Sequence, residues 1–469
     1  MAENSIKLEK NLKVINGISL LVGVIIGSGI FISPVGVIQE CGSIGISLLA
    51  WVICGLISMF GAMSYAELGC MIPKAGGEYE YLMVAFGKLT GFLFIWTFII
   101  VMIPSSFALS ALTFADYALQ PFYEGCSPPL APRILLAAAA ISILTLINCV
   151  SVKLTNYVQN LFNIGKIAGL LMIIGLGAYS LLNGRTENFH APFENSKYDP
   201  GNIAVAFYAG MYSYSGWSFL NYVVEEMKNP IRVLPVSIFF GLGAVIVIYV
   251  FANIAYFTLL SPKEMIASSA VAFSFADKIL GDYSWIMSIF VSLSSLGYIN
   301  GALFSASRTI FGAARNSHMP SLLALINIKF LTPITSILFM GLASLLCLVI
   351  EDTFVLLKLT MLSEYIFIGG TVVGLLWLRR VKPDILRPIK VNLFFPIVFL
   401  FTCIFTIIMT FIKSPQDSLM CLFVILLGVP VYYIFVYIKK PKSIQSKIDA
   451  ITIFTQIVTY SVFDDSKSD

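Results

Sequence analysis

The chain has 469 residues, 58% of them hydrophobic and only 12% charged, with a formal net charge of +4. A water-soluble protein of this size carries roughly a quarter charged residues, so the composition excludes the soluble globular classes and predicts a membrane-embedded protein. No nucleic-acid partner is expected.

The first 13 residues are polar and mixed in charge. The apolar run that follows is too long for the core of a secretory signal, so no cleaved leader is expected and the first span acts as its own targeting signal. A membrane helix needs about 20 apolar residues. On that measure the spans fall near 14–39, 44–72, 89–119, 134–152, 157–182 and 203–224, then 234–260, 283–306, 332–350, 353–378, 391–411 and 418–438. Between spans 7 and 8, residues 261–282 carry two short apolar patches and read as helical caps on the outer vestibule. The tail after span 12, around 444–460, reads equally as an amphipathic helix on the inner leaflet or as a loosely ordered end.

Twelve spans place both termini on one side. With both in the cytoplasm, roughly twenty Lys and Arg face inward and about half a dozen face outward, as the positive-inside rule requires. The inward set includes Lys7, Lys10, Lys13, Arg379, Arg380, Lys382, Arg387, Lys439 and Lys440.

Two spans are interrupted by small polar residues, five spans apart. Gly27-Ser28-Gly29 interrupts span 1, and Ser213-Tyr214-Ser215-Gly216 interrupts span 6. Paired breaks of this kind mark the substrate site of transporters built from inverted repeats. Spans 1–5 and 6–10, being odd in number, would run in opposite senses and bring the breaks together at the midplane. The predicted fold is therefore all-α, with twelve transmembrane helices in an inverted 5+5 repeat, broken helices 1 and 6, and helices 11 and 12 outside the repeat. The expected segments are a cytoplasmic N-terminus (1–13), a first repeat (14–182), a second repeat (183–380), the last two helices (381–440) and a cytoplasmic tail (441–469).

At the span 1 break the outer half-helix offers unpaired N–H groups and a positive dipole end, suited to a carboxylate. Unpaired carbonyls near Ile25 and Ile26, and near Tyr212 and Ser213 in span 6, suit an ammonium group. Together they describe a zwitterionic α-amino acid. Helix packing along a face of small residues is the competing reading of Gly27–Gly29, and the matched second break weighs against it.

Ionisable residues inside spans are read first as functional. Lys166, deep in span 5, could replace a bound sodium ion and brace span 1 against span 8, or pair structurally with a helix carbonyl. Glu364, in mid-span 10, could face a substrate side chain or line the vestibule. Lys358, nearer the outer end, is expected to snorkel. Glu67, Glu225 and Glu226 could form an inner gate with Lys74, Lys228, Arg232 and Arg308, or simply be solvated helix ends. No metal cluster, nucleotide loop or nucleophile–base pair can be assembled, so neither a cofactor nor enzymatic activity is expected. His190 and His318 are too isolated to propose as ligands. Of eight cysteines most lie in or at the ends of spans, but Cys126 lies in the outer loop between spans 3 and 4, where it suggests an intermolecular bridge or a free thiol.

The segments GVIIGSGIF (23–31), YAELGCMIPKAGGEYEYL (65–82), NYVVEEMKNPIRVLP (221–235), INGALFSASR (299–308) and RPIKVNL (387–393) resemble, in order and spacing, the light catalytic subunits of heteromeric amino acid transporters of the amino acid–polyamine–organocation superfamily. That resemblance implies sodium-independent amino acid exchange at the plasma membrane. It implies a substrate-binding set of Ile25, Ser28, Gly29, Tyr212, Ser213 and Ser215, with Ser28 and Gly29 on the carboxylate and Tyr212 as an aromatic gate; their places at the breaks and in mid-span 10 add Ile26, Ile30, Gly216 and Glu364 to the expected set. It makes Lys166 the sodium-site replacement, and Cys126 the link to a single-span glycoprotein heavy subunit. Large-neutral members carry phenylalanine-alanine-tyrosine-glycine-glycine at the span 6 break, where this chain has Tyr212-Ser213-Tyr214-Ser215-Gly216. Glu364-Tyr365 stands where they carry asparagine and tryptophan. A carboxylate there favours cationic substrates beside neutral ones. The alternatives are a facilitator or ion-coupled carrier working alone, and an amino acid sensor that binds without transport.

Overall fold

The computed structural model describes residues 12–74, 76–123, 128–268, 270–350, 352–438 and 442–463. Among these, nine helices are long and apolar enough to cross a membrane, and one bent pair makes a tenth. The bent pair is span 1, Val14–Ile25 and Gly29–Cys41, which turn by 55° at the break. Span 6 is a helix over Pro200–Ser213 that gives way to a 3-10 segment over Trp217–Glu226. Span 9, Ile334–Cys347, is a shorter apolar helix. With these two, all twelve expected spans have a helical counterpart.

The remaining spans are Ile44–Met71 (2), Lys88–Phe122 (3), Leu130–Val150 (4), Val152–Leu182 (5), Pro230–Leu259 (7), Trp285–Arg315 (8), Val355–Val381 (10), Phe394–Lys413 (11) and Pro415–Tyr437 (12). Packing follows the expected symmetry. Span 2 lies on span 7, span 3 on span 8, and span 4 on span 9. Span 1 packs on 7 as 6 packs on 2; span 5 packs on 8 as 10 packs on 3; span 5 packs on 7 as 10 packs on 2. Span 3 is the most enclosed, with 83% of its apolar window buried, against 22% for span 12 at the edge. The apolar side chains left outside, such as Leu135, Leu171, Phe401 and Phe423, stud the peripheral spans 4, 5, 11 and 12, where lipid rather than protein would cover them.

Several elements add to the sequence reading. Glu78–Phe86 is a separate helix before span 3, and span 3 carries a π-turn at Phe98–Met102. The two caps between spans 7 and 8 are helices, Pro262–Ala267 and Val271–Leu280. Ser261 caps the first, and Lys278 of the second pairs with Glu264 at 2.5 Å. The tail forms a helix over Lys442–Thr459 rather than a loose end. It exposes Ile451, Phe454, Ile457 and Val458, and continues into a strand, Ser461–Phe463, paired antiparallel with Leu325–Asn327 in the loop between spans 8 and 9.

Candidate functional site

The two breaks meet. Gly29 opens the outer half of span 1, and a Cβ there would lie 2.7 Å from Ser213 Cα at the end of the span 6 helix. Only glycine permits so close a backbone approach. Gly216 has φ +97°, a conformation natural to glycine, and its Cβ would press on Val24 of span 1 at 2.8 Å. The broken segments are thus fitted to one another at both ends of the span 6 turn.

At the start of the Gly29–Cys41 helix the Phe31 N–H turns back to Ser28 O at 3.1 Å, while the Gly29 and Ile30 N–H groups have no acceptor within their own helix, as at every helix start. Beside them Ser28 Oγ lies 3.0 Å from Ser110 Oγ of span 3. The Tyr212 hydroxyl lies close to Ser28, Ser106 and Ser110, and Ser106 Oγ is bonded to Tyr298 Oη of span 8 at 2.6 Å. Hydroxyls from four spans therefore converge on the positive end of a half-helix. Ile26 and Ile30 are fully enclosed and supply the apolar wall.

Of the carbonyls expected to be unpaired, those of Ile25, Tyr212 and Ser213 are occupied. Tyr249 Oη of span 7 sits between Ile25 O at 3.1 Å and Ser213 O at 3.0 Å. Tyr212 O accepts the Ser215 N–H, Gly27 O accepts Ser294 Oγ of span 8, and Gly23 O accepts Lys166 Nζ at 2.8 Å. A backbone carbonyl buried without a partner is costly, so neighbouring spans supply donors. The Tyr249 hydroxyl carries one hydrogen for two carbonyls, and each carbonyl has two lone pairs, so acceptor capacity for an ammonium remains. Nothing in the sequence singled out Tyr249. Tyr214 and Trp217, which flank the break, are structural instead. Tyr214 donates to Trp51 O and its ring packs on Tyr249, while Trp217 meets Tyr65 edge-on.

Glu364 lies deep in the bundle yet keeps some accessible surface, so it faces an internal space. Ser215 Oγ reaches its two oxygens at 2.9 and 3.1 Å. Lys166 is buried between span 1 and span 8, where Gly297 leaves room for its stem, and its contact with Gly23 O is the carbonyl pairing considered above.

The expected inner gate takes a different form. Glu67 is fully buried and accepts two bonds from the Arg379 guanidinium of span 10 and one from Val391 N–H, with Arg387 4.0 Å away. Its partners are therefore the far end of span 10 and the loop after it, not Lys74 or Lys228. Arg308 stacks on Phe304. The side chains of Glu225 and Glu226 lie outside the described set, as does Cys126. Lys358 does not merely snorkel, since it bonds Ser414 at 3.1 Å and Asp417 at 3.5 Å at the junction of spans 11 and 12. His318 is buried, and Nδ1 lies 2.8 Å from Tyr79 Oη; burial, with Lys88 nearby, holds its imidazole below the ordinary value. No cluster of metal-ligating residues occurs among the described residues.

The amino acid permease family model matches residues 12–455. The chain is 43% identical to the rat (Rattus norvegicus) large neutral amino acids transporter small subunit 2, over 98% of this chain and 87% of that protein. It is 43% identical to the mouse (Mus musculus) b(0,+)-type amino acid transporter 1, over 92% and 89%. It is 39% identical to the human (Homo sapiens) Asc-type amino acid transporter 1, over 98% and 89%. With helices broken and fitted together where the sequence breaks, and a match across nearly its whole length, the chain belongs to the amino acid permease family of multi-pass membrane transporters.

Proposed function

We propose that the chain is a sodium-independent amino acid exchanger that works by alternating access and carries neutral and cationic L-amino acids. The observation that carries this reading is the joined pair of breaks. Helix N–H groups and hydroxyls lie on one side, suited to a carboxylate. Carbonyls with spare acceptor capacity lie on the other, suited to an ammonium. Ser28 and Gly29 would hold the carboxylate, Ile25 and Ser213 the amino group, and Ile26, Ile30, Ser215 and Gly216 the walls. Tyr212 would close the pocket from span 6, and Glu364 would meet a cationic side chain. Lys166, anchored on Gly23 O, puts an amine donor on a span 1 carbonyl that a bound cation would otherwise take, which supports independence from sodium. The bend in span 1 gives the half-helices a hinge about which to tilt.

The protein would reside in the plasma membrane with both termini in the cytoplasm, joined through Cys126 to a single-span glycoprotein heavy subunit. Replacing Cys126 with serine should abolish a reducible high-mass complex on co-expression with such a subunit; persistence of that complex refutes the link. Transport is tested by sodium-free uptake of labelled leucine and arginine into liposomes carrying the full chain, empty or preloaded with unlabelled amino acid. Uptake confined to preloaded vesicles is expected. Equal uptake into empty vesicles would make the chain a facilitator, and binding without uptake would make it a sensor.

A further inference from the structure

Glu364 is an acid without a matching base. The titratable groups near enough to feel its charge are Tyr212 and Tyr222 of the span 6 segment, Tyr298 of span 8, Tyr365 next to it on span 10, and Glu78 of the helix before span 3. All are neutral or acidic. Among the described residues it has no ion pair, and its one hydrogen-bond partner, Ser215, brings a single hydrogen to two oxygens. Lys166, buried elsewhere in the bundle, is directed at Gly23 O and not at Glu364. Glu78 is itself buried and bonded to Tyr222 Oη at 2.6 Å, so it brings no positive charge to position 364.

A carboxylate enclosed by protein is stable when a cation pairs with it and is otherwise neutralised. The arginine or lysine side chain of a bound substrate brings that cation. A leucine side chain does not. The two loaded forms therefore reach the same net charge by different routes.

We propose that Glu364 takes a proton as co-substrate with a neutral amino acid and gives it up to a cationic one. One cationic amino acid then exchanges for one neutral amino acid and one proton. Charge balances: a cation enters, and a neutral molecule with a proton leaves from the carboxyl oxygen of Glu364. No bond other than O–H forms or breaks. The proposal rests on the exchange reading above.

The test uses liposomes carrying the full chain, loaded with leucine and a pH-reporting dye, with the membrane potential clamped by potassium and valinomycin. External arginine should drive leucine out with alkalinisation of the lumen, at one proton per arginine, and at a rate indifferent to the clamped potential. External leucine should exchange without a pH change. Arginine uptake should fall with external acidification, towards tenfold per pH unit once Glu364 is mostly protonated, while leucine uptake should not. E364Q should lose the arginine-driven pH signal. Arginine–leucine exchange that is driven by voltage and leaves luminal pH constant overturns the proposal, and the wild-type protein alone can give that result. Absence of leucine–leucine exchange in the same vesicles would instead overturn the exchange reading.

Discussion

Replacing Gly29 with alanine tests whether the joined breaks are the working centre. The added methyl would lie 2.7 Å from Ser213 Cα, 3.1 Å from Ser213 Oγ and 3.3 Å from Ser213 Cβ. Carbon atoms rest about 3.5–4.0 Å apart, so the two backbones must separate by roughly 1 Å. No flexible side-chain end can absorb the displacement, because the nearest atom is backbone. Overpacking of this kind costs about 1–3 kcal/mol, and misplacing reacting or binding groups by about 1 Å costs on the order of a hundredfold in rate where geometry matters. Initial rates of labelled leucine exchange should fall by one to two orders of magnitude, with melting temperature in detergent lowered by a few degrees. Gly175→Ala is the control, since a methyl there meets nothing within 4 Å, and alanine favours a helix by about 1 kcal/mol. Exchange by Gly29→Ala at the rate of the Gly175→Ala control would refute the argument that this contact is tight and central.

Tyr249→Phe removes one donor from Ile25 O and Ser213 O and should cost about 1–3 kcal/mol of stability, read as a lower melting temperature; an unchanged melt would show that water replaces the hydroxyl. Glu67→Ala strands the Arg379 guanidinium in a buried site and should cost about 3–5 kcal/mol, with loss of folded protein on size-exclusion chromatography, whereas a mild effect would mean that Arg379 swings to solvent. In the outer caps, Lys278 beside Glu264 holds its carboxyl down at about 2. A carboxyl depressed in the folded state stabilises above its unfolded value and loses that stabilisation as pH falls towards the folded value. The melting difference between wild type and Glu264→Gln should therefore be full near neutrality and narrow as pH falls below about 4.5. A difference that grows on acidification would contradict the pairing.

The spans and their breaks were legible because each is a local signal: long apolar runs, and small polar residues set inside two of them. What closes around the breaks was not legible. Tyr249 lies in the predominantly apolar Pro230–Leu259, where one tyrosine among several aromatics carries no mark of its bond to span 1, 224 positions away. Glu67 finds Arg379 at a separation of 312, while sequence neighbours suggested Lys74. The helix Glu78–Phe86 falls between two glycines with positive φ, and its polar first turn disguised it as a loop. The tail was ambiguous because its apolar face has no protein partner over much of its length; its place is fixed by the pairing of its last residues with Leu325–Asn327 and by Thr452, buried against Ser321.

The fit of Gly29 against Ser213, with one tyrosine hydroxyl shared between the carbonyls on either side, has a mechanical consequence. The outer half of span 1 cannot tilt towards the end of the span 6 helix without displacing it, and a shift of either carries a carbonyl away from the hydroxyl that lies between them. The two therefore move as a couple. A carrier whose gates were independent would sometimes have both ajar, and would leak solutes down their gradients. Binding two broken helices into one moving part is a way to keep the membrane sealed through every turn of the cycle.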